Sequence, residues 1–145
     1  MTAPYTDVIG GAGRDAMIRT IYGEARGEPP EGKAAVAWVI RNRAEEPSWW
    51  GNTLYGVCYR PYQFSCHNEN DPNAQICKLL RETDPAYQLI AGVVQGVLAG
   101  SIDDPTKGAT HYKVTGTKAS WDKSAAQVPE IIIGRHSFFK LGPHA

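Results

Sequence analysis

Two apolar helical stripes meet at a hard stop, Gly27-Glu28-Pro29-Pro30, and this arrangement constrains the fold more than any other feature of the chain. Met17, Ile18, Ile21, Tyr22 and Ala25 recur at helical spacing between Arg14 and Arg26 and draw one apolar face. Proline restricts the residue before it and cannot continue a helical ladder, so the first helix must end there. A second helix is predicted over 31–44, with Ala35, Val36, Val39 and Ile40 turned inward. The small Ala34, Ala35 and Ala37 allow the two helices to approach closely. In a chain of 145 residues, such a pair is enough to seed one domain. Residues 1–13, rich in Gly, Ala, Pro and Thr, read as a flexible N-terminal segment, and 14–145 as a single domain.

Further along, Asp71-Pro72 and Asp84-Pro85 read as N-cap and first-turn pairs that open helices near 72–82 and 85–99. The second of these should bury Leu89, Ile90, Val93, Val94, Val97 and Leu98, with Gly100 closing it. Gly92 and Gly96, four apart, predict a close crossing by another element. Thr53 to Tyr59 reads as a short strand or turn. After residue 100 the character changes. Asp104-Pro105-Thr106-Lys107-Gly108 is a turn, and Ala109 to Val114 is a strand. Ile131 to Ile133 and Phe138-Phe139 flank Gly134-Arg135-His136 as β structure with a kink at the glycine. Helices first and strands later indicate an α+β domain.

Charge and cysteines narrow the function classes. Lys+Arg and Asp+Glu balance at 15 each, so no global field draws the chain to nucleic acid or to an anionic membrane. No apolar run approaches membrane-spanning length. Arg41 with Arg43, and Lys113, Lys118 and Lys123, read as solvated surface. The three cysteines, Cys58, Cys66 and Cys77, cannot make a complete disulfide framework. Taken with His67, their spacing lacks the paired C-x-x-C of a zinc site, so they read as small buried hydrophobes. No metal and no cofactor is expected, and a monomer is the default. Met1 to Gly13 shows no secretory signal pattern. The expectation is therefore a product made in the cytoplasm, or a domain excised from a secreted protein.

The residue with most chemical promise is Glu24. At about 100° per residue it falls at the border of the first stripe, with Arg19 and Arg26 on the far side. A border carboxylate can face a cleft while its stem packs on the core. Periodicity alone favours a solvated surface glutamate. A carboxyl among apolar neighbours keeps its proton to higher pH, which suits proton delivery to a glycosidic oxygen. The usual hydrolase design adds a second carboxylate. Glu28, Asp71, Asp103, Asp104 and Asp122 are the candidates, but Asp71 and Asp104 have simpler work as caps or turn formers. None stands out, which favours a one-carboxylate mechanism.

Several motifs resemble those of the SleB/CwlJ-type cell-wall hydrolases, the spore cortex-lytic family with phage and other bacterial relatives. They are Ile21-Tyr22-Gly23-Glu24-Ala25-Arg26-Gly27-Glu28-Pro29 with Gly32 to Arg43, then Gln63-Phe64-Ser65-Cys66, Asp104 to Tyr112, and Ile133 to Phe139. The similarity runs over about residues 14–140. It implies a lysozyme/lytic-transglycosylase-like helical core with a small antiparallel β-sheet, and a groove for a peptidoglycan glycan strand. It also implies that Glu24 is the catalytic acid. The implied chemistry is that of a lytic transglycosylase, although some members have been described as amidases. Gln63, Thr110, His111 and Tyr112 lie in the matching motifs and would orient Glu24 or hold sugar N-acetyl and hydroxyl groups. Tyr62, Trp49 and Trp50 could stack on sugar rings or simply pack in the core. His136 and Glu28 lean to structural roles. A bare catalytic unit of this kind resembles a phage or prophage lysin. The alternatives are a lysozyme-type muramidase, a zinc N-acetylmuramoyl-L-alanine amidase drawing on His67, His111, His136 and Cys66, and a glycan-binding module without catalysis.

Overall fold

A computed structural model describes residues 11–61, 63–122 and 128–143. Its helices are α1 (Gly11–Ala25), α2 (Pro30–Glu45), α3 (Leu54–Tyr59), α4 (Pro72–Leu79) and α5 (Pro85–Ala99). A 3-10 turn spans Ser65–His67. The strands are β1 (His111–Val114), β2 (Ile131–Ile133) and β3 (His136–Phe139). They form one antiparallel sheet in the order β1-β3-β2, with Tyr112 opposite Phe138 and Ile133 opposite His136.

The predicted helix pair is the centre of the molecule. Ala16, Met17 and Ile21 of α1 and Ala35, Val36, Val39 and Ile40 of α2 are all fully buried. α1 packs on α2, α3, α4 and α5, so it is enclosed on most sides. It begins at Gly11, so residues 11–13, expected in a loose segment, make its first turn. Pro29 stands at the N-cap of α2 and Pro30 in its first turn, as the stop motif requires.

Several expectations are corrected. Residues 54–59 are a helix, not a strand: Thr53 caps it by accepting a hydrogen bond from Gly56 N at 2.9 Å. Helix α4 ends at Leu79 rather than near 82. Asp84 sits at the N-cap position of α5, but its carboxylate turns back to Arg81 N instead of capping. Leu89 is 59% exposed, because the buried face of α5 is Tyr87, Ile90, Val94 and Val97. Gly96 does admit a close neighbour, but it is the side chain of Ile102 from the following loop, and Gly92 has open space. Arg43 is buried, not solvated. Trp50 is fully buried and donates to Arg43 O and Glu46 O, both at 2.9 Å, so it is core.

The Asp104 turn fastens the sheet to α2. Its Oδ1 accepts from Thr106 N at 2.8 Å and from the Thr106 hydroxyl at 2.6 Å. Its Oδ2 accepts from Gly108 N at 2.9 Å and from the Asn42 amide at 3.0 Å. That amide also donates to Ala109 O at 3.0 Å, one residue ahead of Thr110, whose amide already pairs with Phe139 O. Replacing Asp104 by Ala leaves these donors without their acceptor. Hydrogen bonds to a charged group are worth about 1.5–3 kcal/mol each, so D104A should lose roughly 3 kcal/mol after water replaces part of the set. A urea melt of the two proteins measures this directly; an unchanged midpoint would remove the turn from the fold's supports.

Candidate active site

Glu24 lies in the last turn of α1, partly buried, at the edge of a cleft of about 380 Å³. Two groups from distant parts of the chain hold its carboxylate. The Tyr112 hydroxyl, from β1 and 88 residues away, donates to Oε1 at 2.8 Å. The backbone N–H of Cys66, in the 3-10 turn, donates to Oε2 at 3.3 Å. Each carboxylate oxygen therefore has its own fixed donor. Burial first, then the charge and hydrogen bond of Glu24, push the Tyr112 phenol well above its ordinary pKa, so it is a donor at neutral pH.

Behind this pair stands Arg43, only 6% exposed and without a carboxylate partner among the described residues. Its Nε donates to Thr110 O at 2.7 Å and its Nη1 to Gln63 Oε1 at 3.3 Å. The guanidinium also lies 5.0 Å from the Trp50 ring and 5.7 Å from Phe64. Burial lowers its pKa to about 10, which still leaves it charged at neutral pH. Arg43 and Gln63 both line the cleft, so a fixed positive charge and a positioned amide face whatever enters it. Sequence reasoning set Arg43 aside as surface. The signal was present: Arg43 follows Val36, Val39 and Ile40 by seven, four and three residues, on the same helical face.

The remaining predicted residues separate. Tyr112 and Gln63 join Glu24 in the cleft. Thr110 is buried, and its hydroxyl accepts from Gly142 N at 2.9 Å and contacts His111 Nδ1 at 2.9 Å, which ties down the chain end instead of facing the cleft. His111 is buried with its ring edge-on to Trp50 and Trp121. It opens on a side recess of about 150 Å³ shared with Trp49, Gln63 and Trp121. Tyr62 lies outside the described residues. Trp121, which neither periodicity nor motif singled out, lines both the cleft and that recess.

The other carboxylates are occupied elsewhere. Glu28 is buried, accepts from Arg135 N at 2.8 Å and lies 3.2 Å from His136 Nδ1. Burial outweighs the pull of Glu28 and Glu24 and leaves the His136 pKa lowered. Asp71 caps α4 through Asn73 N at 2.8 Å. Asp122 pairs with Lys113 at 2.6 Å, and Asp103 is exposed. Glu24 is thus the single carboxylate among the described residues that line the cleft. A larger depression of about 590 Å³ lies beside Tyr59, Pro61 and His67, but its one acid, Glu69, is solvent-exposed, and no described residue donates to it. The held carboxylate sets the smaller cleft apart from this depression.

The site thus combines the helical core, the small antiparallel sheet and a glutamate held at the cleft between them. A family model for cell wall hydrolases matches residues 27–139, and the chain belongs to that family. The matched segment begins just after Glu24. The chain is 36% identical over 123 residues to the spore cortex-lytic enzyme of Halalkalibacterium halodurans, covering 84% of this chain and 33% of that protein. It is 32% identical over 123 residues to the spore cortex-lytic enzyme of Bacillus subtilis, covering 84% and 35%. The chain spans about a third of the length of these two relatives. Among solved structures, the catalytic domain of the Bacillus cereus SleB protein superposes with a TM-score of 0.71 at 27% identity, covering 97% of this chain and 98% of that one. The catalytic domain of the germination-specific lytic transglycosylase SleB of Bacillus anthracis gives 0.65 at 29%, covering 90% and 96%. The fold expected from the motifs is therefore the fold observed.

His111 supplies a pH signature for the wall of the site. Burial first, and then the Arg43 charge, lower its pKa from 6.5 to about 4. As pH falls, the unfolded chain takes up this proton before the folded one does. Its contribution to stability is complete above about pH 6.5 and is lost between 6.5 and about 4. His67 and His136, also lowered by burial, act in the same direction. A carbon-detected NMR titration should place the His111 midpoint near 4, and urea midpoints should fall through the same window. A His111 midpoint at its ordinary value would mean that the ring is solvated.

Proposed function

We propose that this chain cleaves the bond between N-acetylmuramic acid and N-acetylglucosamine in peptidoglycan, as a lytic transglycosylase. The observation that carries this reading is the lone cleft carboxylate of Glu24, held at both oxygens by Tyr112 and Cys66. Glu24 first gives its proton to the glycosidic oxygen, and the leaving sugar departs with it. The carboxylate so formed is the species that an O–H and an N–H donor stabilise best. It then takes the proton of the muramyl C6 hydroxyl as that oxygen closes on the anomeric carbon. The product is a 1,6-anhydro ring and Glu24 is regenerated, so no second acid and no protein nucleophile is consumed. Arg43, by fixing Gln63, presents an amide to the sugar's N-acetyl or hydroxyl groups. The named relatives, a spore cortex-lytic enzyme and a lytic transglycosylase domain, support this substrate class.

General acid–base catalysis contributes about 10²–10⁴-fold, so Glu24→Gln should lower the rate of wall solubilisation by roughly 10³-fold with folding unchanged. Tyr112→Phe removes one donor to a charged acceptor and should cost about tenfold or more in kcat. Mass spectrometry of digested peptidoglycan decides among the chemistries. Anhydro-muropeptides are expected. Reducing muramic ends would make the enzyme a muramidase, and free stem peptides an amidase. Bound but uncut glycan would make it a binding module.

A further inference from the structure

Gly23, beside Glu24, covers a pair of sulfurs. A methyl group placed on Gly23 would stand 2.6 Å from the Cys66 sulfur and 2.7 Å from the Cys77 sulfur. The two sulfurs therefore meet beneath one point of α1, separated by at most about twice that distance. Both cysteines are buried and carry free thiols. Cys66 belongs to the turn whose N–H holds Glu24, and Cys77 to α4, which packs on that turn. Cys77 also lines a recess of about 170 Å³ with Arg19, His67 and Lys78.

We propose that Cys66 and Cys77 form an oxidisable dithiol that closes to a disulfide beneath Glu24 when hydrogen peroxide enters the recess. The roles of the two sulfurs differ. Interaction with the Cys66 thiol, and then the charges of Arg26 and Arg19, favour the Cys77 thiolate against burial and the charge of Glu24. Cys66 is held in its thiol form, with its sulfur 3.8 Å from Thr20 O. The Cys77 thiolate attacks one peroxide oxygen, the O–O bond breaks, and with one proton a water molecule leaves; Cys77 is now a sulfenic acid. The Cys66 sulfur attacks the Cys77 sulfur, its proton joins the departing hydroxyl as a second water, and the S–S bond forms. Two thiols and one hydrogen peroxide give one disulfide and two waters. Side-chain rotation must bring the sulfurs to about 2 Å, with the turn drawn toward α4. Added thiol reverses the change. Cys58, buried on α3, lies outside this pair and serves as the internal reference.

The test uses the full chain, reduced and then freed of reductant. It is treated with equimolar hydrogen peroxide, unfolded in an alkylating agent and peptide-mapped. The expected result is a linked peptide joining Cys66 and Cys77, lighter by two hydrogens, with Cys58 alkylated and the link lost on dithiothreitol. Three alkylated cysteines, a Cys77 oxidised to the sulfinic acid with Cys66 alkylated, or any link through Cys58 would overturn the proposal. In Cys66→Ala, the sulfenic acid on Cys77 should persist and be trapped by dimedone; if that variant does not fold, the map of the unaltered chain decides alone. The map is independent of wall lysis, so it stands or falls separately from the chemistry of Glu24.

Discussion

A buried cation joins the two halves of this fold. Arg43 leaves the end of α2 and reaches the carbonyl of Thr110, just ahead of β1, while its other arm holds Gln63. Taking a guanidinium out of water is costly, and among the described residues no carboxylate offsets it. Compensation comes from two carbonyl-type acceptors and from the faces of Trp50 and Phe64. Asn42, its neighbour, binds the Asp104 turn and Ala109 O on the same side. Two consecutive polar residues of one helix therefore set where β1 begins. Since Tyr112 follows Thr110 by two residues, they also set where the donor to Glu24 stands.

That dependence explains what the sequence disclosed and what it withheld. Helices α1, α2 and α5 were legible because their apolar residues repeat at 3.6 spacing and their ends carry proline or glycine. The strands were legible as short apolar runs around Gly134, whose positive φ makes the turn between β2 and β3. Helix α3 was misread because six residues carry no periodic signal, and its one marker, the Thr53 cap, was overlooked. For the site, the motifs contain Glu24, Gln63 and Tyr112, yet nothing local to them shows that Glu24 and Tyr112, 88 residues apart, are joined by a hydrogen bond. Arg43 differs: its charge points to solvent, whereas its position on the inner face of α2 points to burial.

The sheet adds rigidity where the chemistry needs it. β3 is buried along all four residues and lies between β1 and β2, so β1 has a fixed neighbour on its inner edge. Phe138, fully buried, packs against the Tyr112 ring from the opposite strand, and His136 meets that ring edge-on at 5.1 Å. The phenol is thus braced by two aromatic contacts before it reaches the carboxylate. A donor placed on a strand inside a packed sheet holds its geometry better than one on a loop, and small misplacements of a catalytic group are expensive in rate.

The stop motif that ends α1 is also what leaves a single acid in the cleft. Glu24 and Glu28 are four residues apart. On a continuing helix they would lie on one face, about one turn apart, and their charges would oppose each other. Instead α1 ends at Ala25, and the chain turns so that Glu28 N bonds Ala25 O. The Glu28 side chain instead reaches Arg135 N and His136 at the β2–β3 turn. There it fills the space over Gly134, where an added Cβ would come within 2.6 Å of its Oε1. One acid is thereby used to fasten the β2–β3 turn and the other is left to the cleft. The separation depends on Gly27, Pro29 and Pro30 breaking the helix, so the feature that shapes the helical pair also leaves Glu24 as the one carboxylate among the described residues of the cleft.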